Sequence, residues 1–279
     1  MREDTLAEAR EGCNTDATDA LEHDAGSPMM RPMATLALPP PFEALAAGRG
    51  DAFEAARRAA REGAGAGLLA FADGRRDALD AAVVCEPETA LARAWPAALA
   101  AALAMADALG AEGPPNLPVT FAWPDRILVN GALVGGVRAA APEGAAPEAA
   151  PPWLLLGVGV RLRHPAGWGE PGLRPDRTAL AEEGFEAPDP AALAEGFARH
   201  LLFWLDRWVE GGTEPIARHW LARRAPEDGG AALDPATGDL VAPGGARRAL
   251  AEALRRPSWR LDEEEAPAAL RERPQGRPS

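Results

Sequence analysis

The chain of 279 residues contains no lysine and no tyrosine, and it has only two cysteines. All 29 basic side chains are therefore arginine, whose guanidinium binds anions but does not act as a nucleophile or give up its proton. The two cysteines, Cys13 in an acidic segment and Cys85 in an apolar run, agree with a reducing compartment. We expect a cytoplasmic protein with no disulfide and no catalytic lysine.

Positive charge is also scarce, because 42 acidic side chains outnumber the arginines and give a formal net charge of -13. The sequence pI is about 4.9. A nucleic-acid footprint needs clustered basic surface that displaces counterions from phosphates. We therefore expect neither DNA nor RNA among the partners of this chain.

Uninterrupted apolar runs of membrane-spanning length are missing as well. The run over residues 153–160 is far shorter than the roughly 20 residues that a membrane helix needs. The N-terminal residues are acidic and lack the apolar region of a signal peptide. We therefore expect no membrane partner and no secretion through a signal peptide.

Common catalytic and metal-binding motifs do not occur. The four histidines have no H-x-x-x-H spacing and no cysteine partner at ligand distance, so we expect no structural metal. No G-x-S-x-G sequence is present, which argues against a serine hydrolase of that type. Cys85 remains as a lone candidate nucleophile, although a strand position before Glu86-Pro87 favours a packing role.

Helical and strand-like patterns alternate through the first half of the chain. Apolar spacing predicts a helix or helix pair over residues 42–62 and a helix over residues 91–109 that Pro96 interrupts early. Strand patterns lie on both sides of the turns at Asp73-Gly74 and Asn130-Gly131.

The second half continues in the same way. The run WLLLGVGVRL predicts a buried strand, and Asp189-Pro190 is a good cap and first turn for a helix that ends near residue 209. Another helix is expected from Thr213 to about residue 224, and a small hairpin with a helix follows. This mixture predicts the α+β class, with a mixed, largely antiparallel sheet packed with helices and a small C-terminal hairpin and helix unit.

Composition divides the chain into four parts. Residues 1–32 have few large apolar side chains and predict a disordered acidic extension, or residues upstream of the natural start. Residues 33–226 predict the main domain and residues 227–262 a small C-terminal domain. Residues 263–279, which begin with an acidic run, predict a disordered tail.

The stretch TFAWPDRILVNGALVGGVRAA, residues 120–140, contains the most informative hairpin. In a two-residue turn at Asn130-Gly131, Ile127 faces Val134 and Arg126 falls opposite Gly135. A glycine pair, Gly135 and Gly136, then lies beside the sequence WPDR. Such glycines either permit close approach of a ligand or only allow a bulge. If a ligand binds there, Gly135→Val harms binding more than stability.

The order of these pieces resembles the biotin/lipoate protein ligases. In biotin ligases KWPND precedes a hairpin and a small-Gly pair, as AWPDR precedes ILVNGALVGGV here. LLLGVGVRL is similar to the G-x-G-[IV]-N strand of the family, RTALAEEGF to its T-S-L-x-x-E segment, and GAGAG to its glycine-rich loop. FARHLLFWLDRW, IARHWLARR and the short GDLV hairpin are similar to its closing helices and small C-terminal domain. The resemblance covers about residues 42–243.

The resemblance implies the fold of biotin protein ligases and class II synthetases and a two-step reaction. ATP with Mg²⁺ adenylates a small carboxylic acid, biotin or lipoate, and the acyl group passes to a lysine of a biotinyl or lipoyl carrier domain. The resemblance also allows a homodimer through the sheet, as in some ligases. The related lipoyl and octanoyl transferases use a cysteine and a lysine, so the enzyme class implied is ligase or acyltransferase.

Several polar positions of the family motifs are changed in this chain. The lysine of KWPND is Ala122, and the asparagine and aspartate that follow are Asp125 and Arg126. The asparagine of G-x-G-[IV]-N is Arg161, and the serine of T-S-L is Ala179. The backbone-shaping glycines are kept while the catalytic lysine is absent, which indicates a retained fold with altered or lost chemistry.

Arg126 is the candidate replacement for the missing lysine. If residues 122–126 form one strand, Ala122, Pro124 and Arg126 share a face, and Arg126 supplies the cation two pleats further along. Arg161 is a second candidate cation. The alternative for Arg126 is an ion pair with Asp125 or with other surface carboxylates.

The resemblance therefore implies a substrate- and nucleotide-binding site but leaves the catalytic residues unknown. Three functions remain open: an active ligase with a rearranged arginine site, a degenerate member that binds a small acid, a nucleotide or a carrier domain without turnover, and a sheet that serves only as an interaction surface. The residues predicted to line the site are Gly63, Gly65, Gly67, Trp123, Pro124, Asp125, Arg126, Gly135, Gly136, Gly157, Gly159, Arg161 and Thr178.

Overall fold

The computed structural model describes residues 36–165, 173–226 and 230–260, and within them seven strands form the main sheet. These strands are β1 (Glu43–Ala46), β2 (Leu68–Phe71), β3 (Ala78–Cys85), β4 (Val119–Ala122), β5 (Arg126–Val129), β6 (Ala132–Ala140) and β7 (Leu154–Arg161). Their order across the sheet is β1-β2-β3-β7-β6-β5-β4. Only the β1–β2 pair is parallel, and the other five pairs are antiparallel. The predicted α+β class with a largely antiparallel sheet is confirmed.

Helices cover both faces of this sheet. They are α1 (Ala52–Arg61), α2 (Leu91–Ala94), α3 (Ala97–Glu112), α4 (Pro190–Gly211), α5 (Thr213–Ala222) and α6 (Leu250–Ala253). Helix α1 packs on one face through Phe53 and its alanines, and the larger core forms on the other face around α3. Helix α4 packs on α3, where Trp204 donates a hydrogen bond of 2.8 Å to the carboxylate of Asp107.

Helix α3 is apolar all round because it is buried all round. The segment Leu91–Glu112, which includes α2, is long and apolar enough to cross a membrane by length and composition. However, 78% of that window is buried inside the protein, as is usual for a core helix. Its many alanines allow α4 and the sheet to approach it closely.

The sequence also predicted how several helices begin. Asp189 caps α4 by accepting a hydrogen bond from the backbone N–H of Ala191, and Pro190 follows at the first turn. Asp51, which was not predicted, caps α1 in the same way through the N–H of Glu54. The predicted break at Pro96 separates α2 from α3.

Three local predictions were wrong. Residues 42–62 contain β1 before α1 rather than a helix pair, because β1 pairs with β2 and tertiary pairing overrides the helical spacing of its apolar residues. In the hairpin at Asn130-Gly131, Ile127 pairs with Gly135 and Arg126 with Gly136, since a bulge between Ile127 and Leu128 shifts the register by one residue.

The third correction concerns the sequence AWPDR. Residues 122–126 do not form one strand, because β4 ends at Ala122 and β5 starts at Arg126. The residues between them form the turn of an antiparallel hairpin, in which Ala122 and Arg126 are direct cross-strand partners. Ala122 and Arg126 are therefore neighbours across two strands rather than two pleats apart on one.

The C-terminal unit is a small three-stranded sheet followed by α6. Its strands are β8 (Ala232–Leu233), β9 (Leu240–Val241) and β10 (Arg247–Arg248). Asp234 organises the β8–β9 turn by accepting hydrogen bonds from the backbone N–H groups of Ala236 and Thr237. The described residues lie in one compact unit, Met33–Ser279, so a separate C-terminal domain stays a prediction. The segments predicted to be disordered, 1–32 and 263–279, lie outside the described residues.

Phe121 is expected to be a major contributor to stability. Its side chain is fully buried, and its ring stacks on Trp220 of α5 with a centroid separation of 5.6 Å. We expect Phe121→Ala to lower the free energy of unfolding by about 3–5 kcal/mol, measured by urea denaturation. Phe203→Ala, at a side chain that is 48% exposed, is the matched control and should cost less than about 1.5 kcal/mol. Equal losses for both variants would contradict this assignment of the core.

Candidate functional site

Two glycines lie side by side in the middle of the sheet and leave its surface without side chains. Gly136 of β6 pairs with Gly159 of β7, and Gly159 pairs with Asp80 of β3. Because cross-strand partners point to the same face, this surface lies on the side of the sheet that carries α1. We call the surface formed by Gly136 and Gly159 the glycine face.

The indole of Trp259 packs directly on the glycine face. A Cβ atom at Gly136 would lie 2.4 Å from Cδ1 of Trp259, and a Cβ at Gly159 would lie 2.4 Å from its Cη2. Any larger residue at either position would clash with the ring. The Nε1–H of Trp259 donates a hydrogen bond of 2.9 Å to the carbonyl of Val137, and the side chain is only 5% exposed.

Ser258 fixes the same segment to the turn between β4 and β5. Its backbone N–H and its hydroxyl both donate to the carboxylate of Asp125, the hydroxyl at 2.6 Å. The hydroxyl also accepts a hydrogen bond of 3.0 Å from Nε of Arg126. Burial raises the pKa of Asp125 to about 6, although the hydrogen bonds from Ser258 oppose that rise.

A buried ion network forms the wall next to Trp259. Arg138 of β6 donates two hydrogen bonds, of 2.8 and 2.9 Å, to Asp51 and a third of 3.0 Å to Asp80. Arg260 donates to Asp51 at 2.7 Å, and the Arg138 guanidinium lies over the ring of Phe53, 4.4 Å from its centroid. The network holds the start of α1, two central strands and the residue after Trp259 together.

The pKa values of the two carboxylates of this network are shifted in opposite directions. Burial would raise the pKa of Asp51, but hydrogen bonds and the charges of Arg138 and Arg260 outweigh burial and hold that pKa below its usual range. Burial dominates for Asp80 and raises its pKa, with Arg138 opposing the rise. The wall therefore contains one carboxylate that stays ionised and one that is easier to protonate.

A small cavity with a volume of about 220 Å³ lies beside the Trp259 ring. It extends towards the turn between β2 and β3, where Arg75 and Asp77 form an ion pair at 2.8 Å. Arg260 and Asp80 also line it, so the cavity has charged groups in its wall and continues from the glycine face.

Four of the predicted site residues meet at the glycine face. They are Asp125, Arg126, Gly136 and Gly159. Pro124 lies in the turn immediately before Asp125, and Ala122 is the cross-strand partner of Arg126. The hairpin was thus the most informative part of the sequence for locating the site.

The structure gives other predicted residues packing or supporting positions. A Cβ at Gly135 would lie 2.0 Å from the carbonyl oxygen of Gly159, and a Cβ at Gly157 would meet the ring of Phe53 at 2.5 Å. Both glycines therefore allow close packing of the protein on itself. We therefore expect Gly135→Val to harm stability more than binding, contrary to the expectation from the sequence. Trp123 is buried in the larger core, with Arg248 over its ring.

Arg161 and Thr178 hold the segment after β7 against the sheet. The guanidinium of Arg161 is 5% exposed and donates to the backbone carbonyls of Leu133 and Thr178. The hydroxyl of Thr178 donates to the carboxylate of Glu183. Arg161 also lines the small cavity beside Trp259 and therefore borders the site, whereas the described contacts of Thr178 are with its own segment.

The stretch GAGAG lies at the other end of the strands. Gly67 precedes β2, at the end where β3 finishes with Cys85, whereas the glycine face lies near the start of β3. Along β3, Asp80 at the glycine face and Cys85 are five residues apart, which is about 17 Å of extended chain. Gly63 and Gly65 precede Gly67 and lie at the same end. The structure therefore does not bring these three glycines to the glycine face.

A larger cavity of about 890 Å³ lies at that distant end. It is lined by mostly apolar residues of β3 and α4, together with Gly67 and Cys85. Burial raises the pKa of the Cys85 thiol to about 12, which disfavours the thiolate that a cysteine nucleophile needs. The glycine face is the better candidate site because charged groups with shifted pKa values converge there.

Five residues of the site were not predicted: Asp51, Asp80, Arg138, Ser258 and Trp259. Single charges inside the apolar strands ALDAAVVC and ALVGGVRAA could have indicated Asp80 and Arg138, because a buried charge requires a partner. No local pattern distinguishes Trp259, which reaches the site through tertiary packing. Within the described ranges, no group of three or more His, Cys, Asp or Glu side chains could hold a metal ion.

Comparison with known proteins agrees with this geometry. Residues 38–222 match the model of the biotin/lipoate A/B protein ligase family. A biotin protein ligase-like protein of unknown function from a Silicibacter species has a similar crystal structure, with a TM-score of 0.68 and 31% identity. That similarity covers 79% of this chain and 99% of the other. The family match spans more than half of the chain, so the chain belongs to the biotin/lipoate A/B protein ligase family.

Named ligases are among its relatives. A biotin–[acetyl-CoA-carboxylase] ligase from Paracoccus denitrificans is 31% identical over 145 residues, which make up 51% of this chain and 59% of that protein. The matched stretch is thus less than two thirds of that relative. The biotin protein ligase of Aquifex aeolicus shares the fold, with a TM-score of 0.59 and 14% identity over 76% of this chain and 97% of the other. The predicted family resemblance is confirmed, and a ligase-like function is supported.

Gly135 provides a direct test of the packing in this region. We expect Gly135→Ala to lower the free energy of unfolding by about 1–3 kcal/mol or more, because its Cβ would overlap the backbone of β7. The control is Gly110→Ala in α3, where a Cβ meets no atom within 4 Å and should stabilise the helix by up to about 1 kcal/mol. Unfolding in urea measures both variants, and a neutral Gly135→Ala would contradict this packing.

Asp125 predicts a pH dependence of stability with a definite sign. Its pKa in the folded protein, about 6, is above the ordinary value of 3.8, so the folded state keeps this proton more tightly. Asp125 therefore lowers the free energy of unfolding as the pH rises from about 4 to about 6, by up to about 3 kcal/mol. We expect the free energy of unfolding of the unchanged chain, minus that of Asp125→Asn, to fall as the pH rises across this window. Urea unfolding at several pH values measures this difference. A flat or rising difference would disprove the assignment.

Proposed function

We propose that the glycine face is the site at which this chain binds and adenylates a small carboxylic acid of the biotin or lipoate type. In this reaction a carboxylate oxygen of the acid attacks the α-phosphorus of ATP, and pyrophosphate leaves. A lysine amine of a carrier domain then attacks the acyl carbon, and AMP leaves. Family membership and the biotin ligase relative support the reaction class.

The position of Arg126 is the observation that carries this proposal. The family has a lysine where this chain has Ala122, and Ala122 pairs directly with Arg126 across the β4–β5 hairpin. Such partners have Cα atoms about 4.5–5.5 Å apart. A guanidinium that starts at Arg126 can therefore reach the region of the missing ammonium. Its Nε already points to the 258–260 segment above the glycine face.

An arginine at this position can stabilise negative charge on a phosphate but cannot exchange a proton with the substrate. The guanidinium offers a fixed positive charge and several N–H donors to phosphate oxygens, which stabilises charge that develops during adenylation. It stays protonated and cannot act as a general base or a nucleophile. Adenylation by this chain therefore relies on binding and electrostatic stabilisation.

Magnesium ions enter this proposal only together with ATP. Mg²⁺ usually binds through substrate phosphates and one or two carboxylates. Of the carboxylates at the glycine face, Asp51 and Asp80 are engaged by Arg138, and Asp125 accepts hydrogen bonds from Ser258. The described side chains thus do not fit a metal site held by the protein alone, and no step is assigned to one. A solved biotin protein ligase of this fold from Aquifex aeolicus contains biotin and ATP.

A second candidate function is binding without turnover. The absence of lysine from all 279 residues favours it, because the family site loses a group that this chain cannot replace in kind. Such a protein would hold a small acid, a nucleotide or a carrier domain and would release no pyrophosphate. The carrier domain as a partner and a homodimer through the sheet are further parts of the proposal that follow from family membership alone.

Acid-dependent exchange of labelled pyrophosphate into ATP tests the proposal. We expect exchange with one acid of a panel containing biotin, lipoate and octanoate, in the presence of Mg²⁺. A folded sample that shows no exchange but binds one of the acids in calorimetry would support binding without turnover. A folded sample that neither exchanges nor binds any of them would overturn both functions.

Substitution of Arg126 tests the role of the replacement cation. A charge-assisted hydrogen bond contributes about 1.5–3 kcal/mol, so we expect Arg126→Ala to reduce the exchange rate by about 10- to 100-fold. Arg218→Ala is the control, because Arg218 lies on α5 in an exposed pair with Glu214 and should leave the rate unchanged. Full exchange by Arg126→Ala would show that Arg126 does not replace the lysine.

A further inference from the structure

We propose that residues 258–260 are an intramolecular occupant of the ligand site, which must leave the glycine face before a small molecule binds there. The proposal rests on the proposed function, because it takes the glycine face as the ligand site. It adds an autoinhibitory contact within the chain. Four observations carry it: the fit of the ring, the polar contacts, the attachment of the segment and the groups that it covers.

The Trp259 ring lies where a ligand ring would have to lie. It contacts Gly136 and Gly159, two strand positions without side chains that no other side chain of the described residues is shown to cover. Glycines in strand interiors commonly mark close approach of a ligand or of another backbone. Here the approaching group is a flat bicyclic side chain from a residue more than 100 positions further along the chain.

Polar atoms of the segment are matched by polar atoms of the site. Ser258 donates to Asp125 and accepts from Arg126, Trp259 donates to the carbonyl of Val137, and Arg260 donates to Asp51. An apolar plug would need none of these contacts. The contact of Ser258 also engages Arg126, the cation proposed to bind the acid or the nucleotide.

The attachment of the segment allows it to leave while its neighbours stay in place. Leu254, after α6, is buried and anchors the C-terminal unit on the larger core. Arg255 and Arg256 are exposed and separate this anchor from Ser258. Rotation about these two exposed residues would lift Trp259 without moving α6.

The covered groups indicate which ligands would compete best. Departure of the segment exposes two acceptors, the carbonyl of Val137 and the carboxylate of Asp125, next to the guanidinium of Arg126. A ligand that satisfies all three has a flat ring with N–H donors and an anionic group. The ureido ring of biotin has such donors, and the dithiolane ring of lipoate has none. We therefore choose a non-hydrolysable biotinyl adenylate as the probe.

Dissociation constants of this probe, measured by calorimetry, test the proposal. If the open state of the unchanged chain is populated to about 1–10%, its apparent affinity is reduced about 10- to 100-fold. We expect full-length Trp259→Ala to bind the probe tighter by that factor. Trp208→Ala, at a half-buried tryptophan beside the distant cavity, is the matched control and should bind like the unchanged chain.

A peptide of residues 255–262, RRPSWRLD, provides an independent test. Added to full-length Trp259→Ala, it should raise the apparent dissociation constant of the probe, whereas the same peptide with alanine in place of tryptophan should not. If Trp259→Ala fails to fold, Trp259→Phe keeps the ring and removes only the donor to Val137. That variant should still bind the probe several-fold tighter than the unchanged chain.

The outcomes separate this proposal from the proposed function. Equal affinities of the unchanged chain, Trp259→Ala and Trp259→Phe would overturn the autoinhibitory contact and leave the ligand site in place. Simultaneous binding of peptide and probe to full-length Trp259→Ala would also overturn it. Failure of every folded variant to bind the probe would overturn the ligand site itself, and the autoinhibitory contact with it.

Discussion

The buried ion pairs of Arg138 are the interaction on which the arrangement of this site depends. Arg138 is 6% exposed in the centre of β6, and it reaches Asp51 at the start of α1 and Asp80 on β3. Removing one member of a buried pair leaves an unpaired charge in a poorly solvated place, which is strongly destabilising. The guanidinium thus fixes α1 relative to the sheet, and the edge of the glycine face follows from that placement.

Small residues have the complementary role in the same region. Gly157 lets Phe53 pack on the sheet, Gly135 lets β6 approach β7, and Gly136 and Gly159 leave room for a ring. A run of glycines that looks uniform in sequence therefore contains two kinds of position. Gly135 and Gly157 shape the fold, and Gly159 shapes the surface on which Trp259 lies. Gly136 does both, because a Cβ there would also lie 2.2 Å from the backbone oxygen of Asp125.

This member of the biotin/lipoate A/B protein ligase family surrounds its glycine face with arginines. Arg126 lies across the hairpin from Ala122, while Arg138 and Arg260 share Asp51. The arginines are largely balanced by carboxylates of the same chain. Release of the 258–260 segment would remove Arg260 from Asp51 and Ser258 from Asp125. The charge at the site therefore depends on whether this segment occupies it.

The sequence alone determined the class of the fold, most of its helices and strands, the hairpin at Asn130-Gly131 and the family. Alternation, capping residues and turn residues act over a few positions, so their effects can be read locally. The bulge that places Gly136 opposite Arg126 and the turn that splits AWPDR across two strands were decided by pairing within the sheet. Only the tertiary structure placed Trp259 on the glycine face and GAGAG at the far end, because contacts between residues more than 100 positions apart depend on how the whole chain packs.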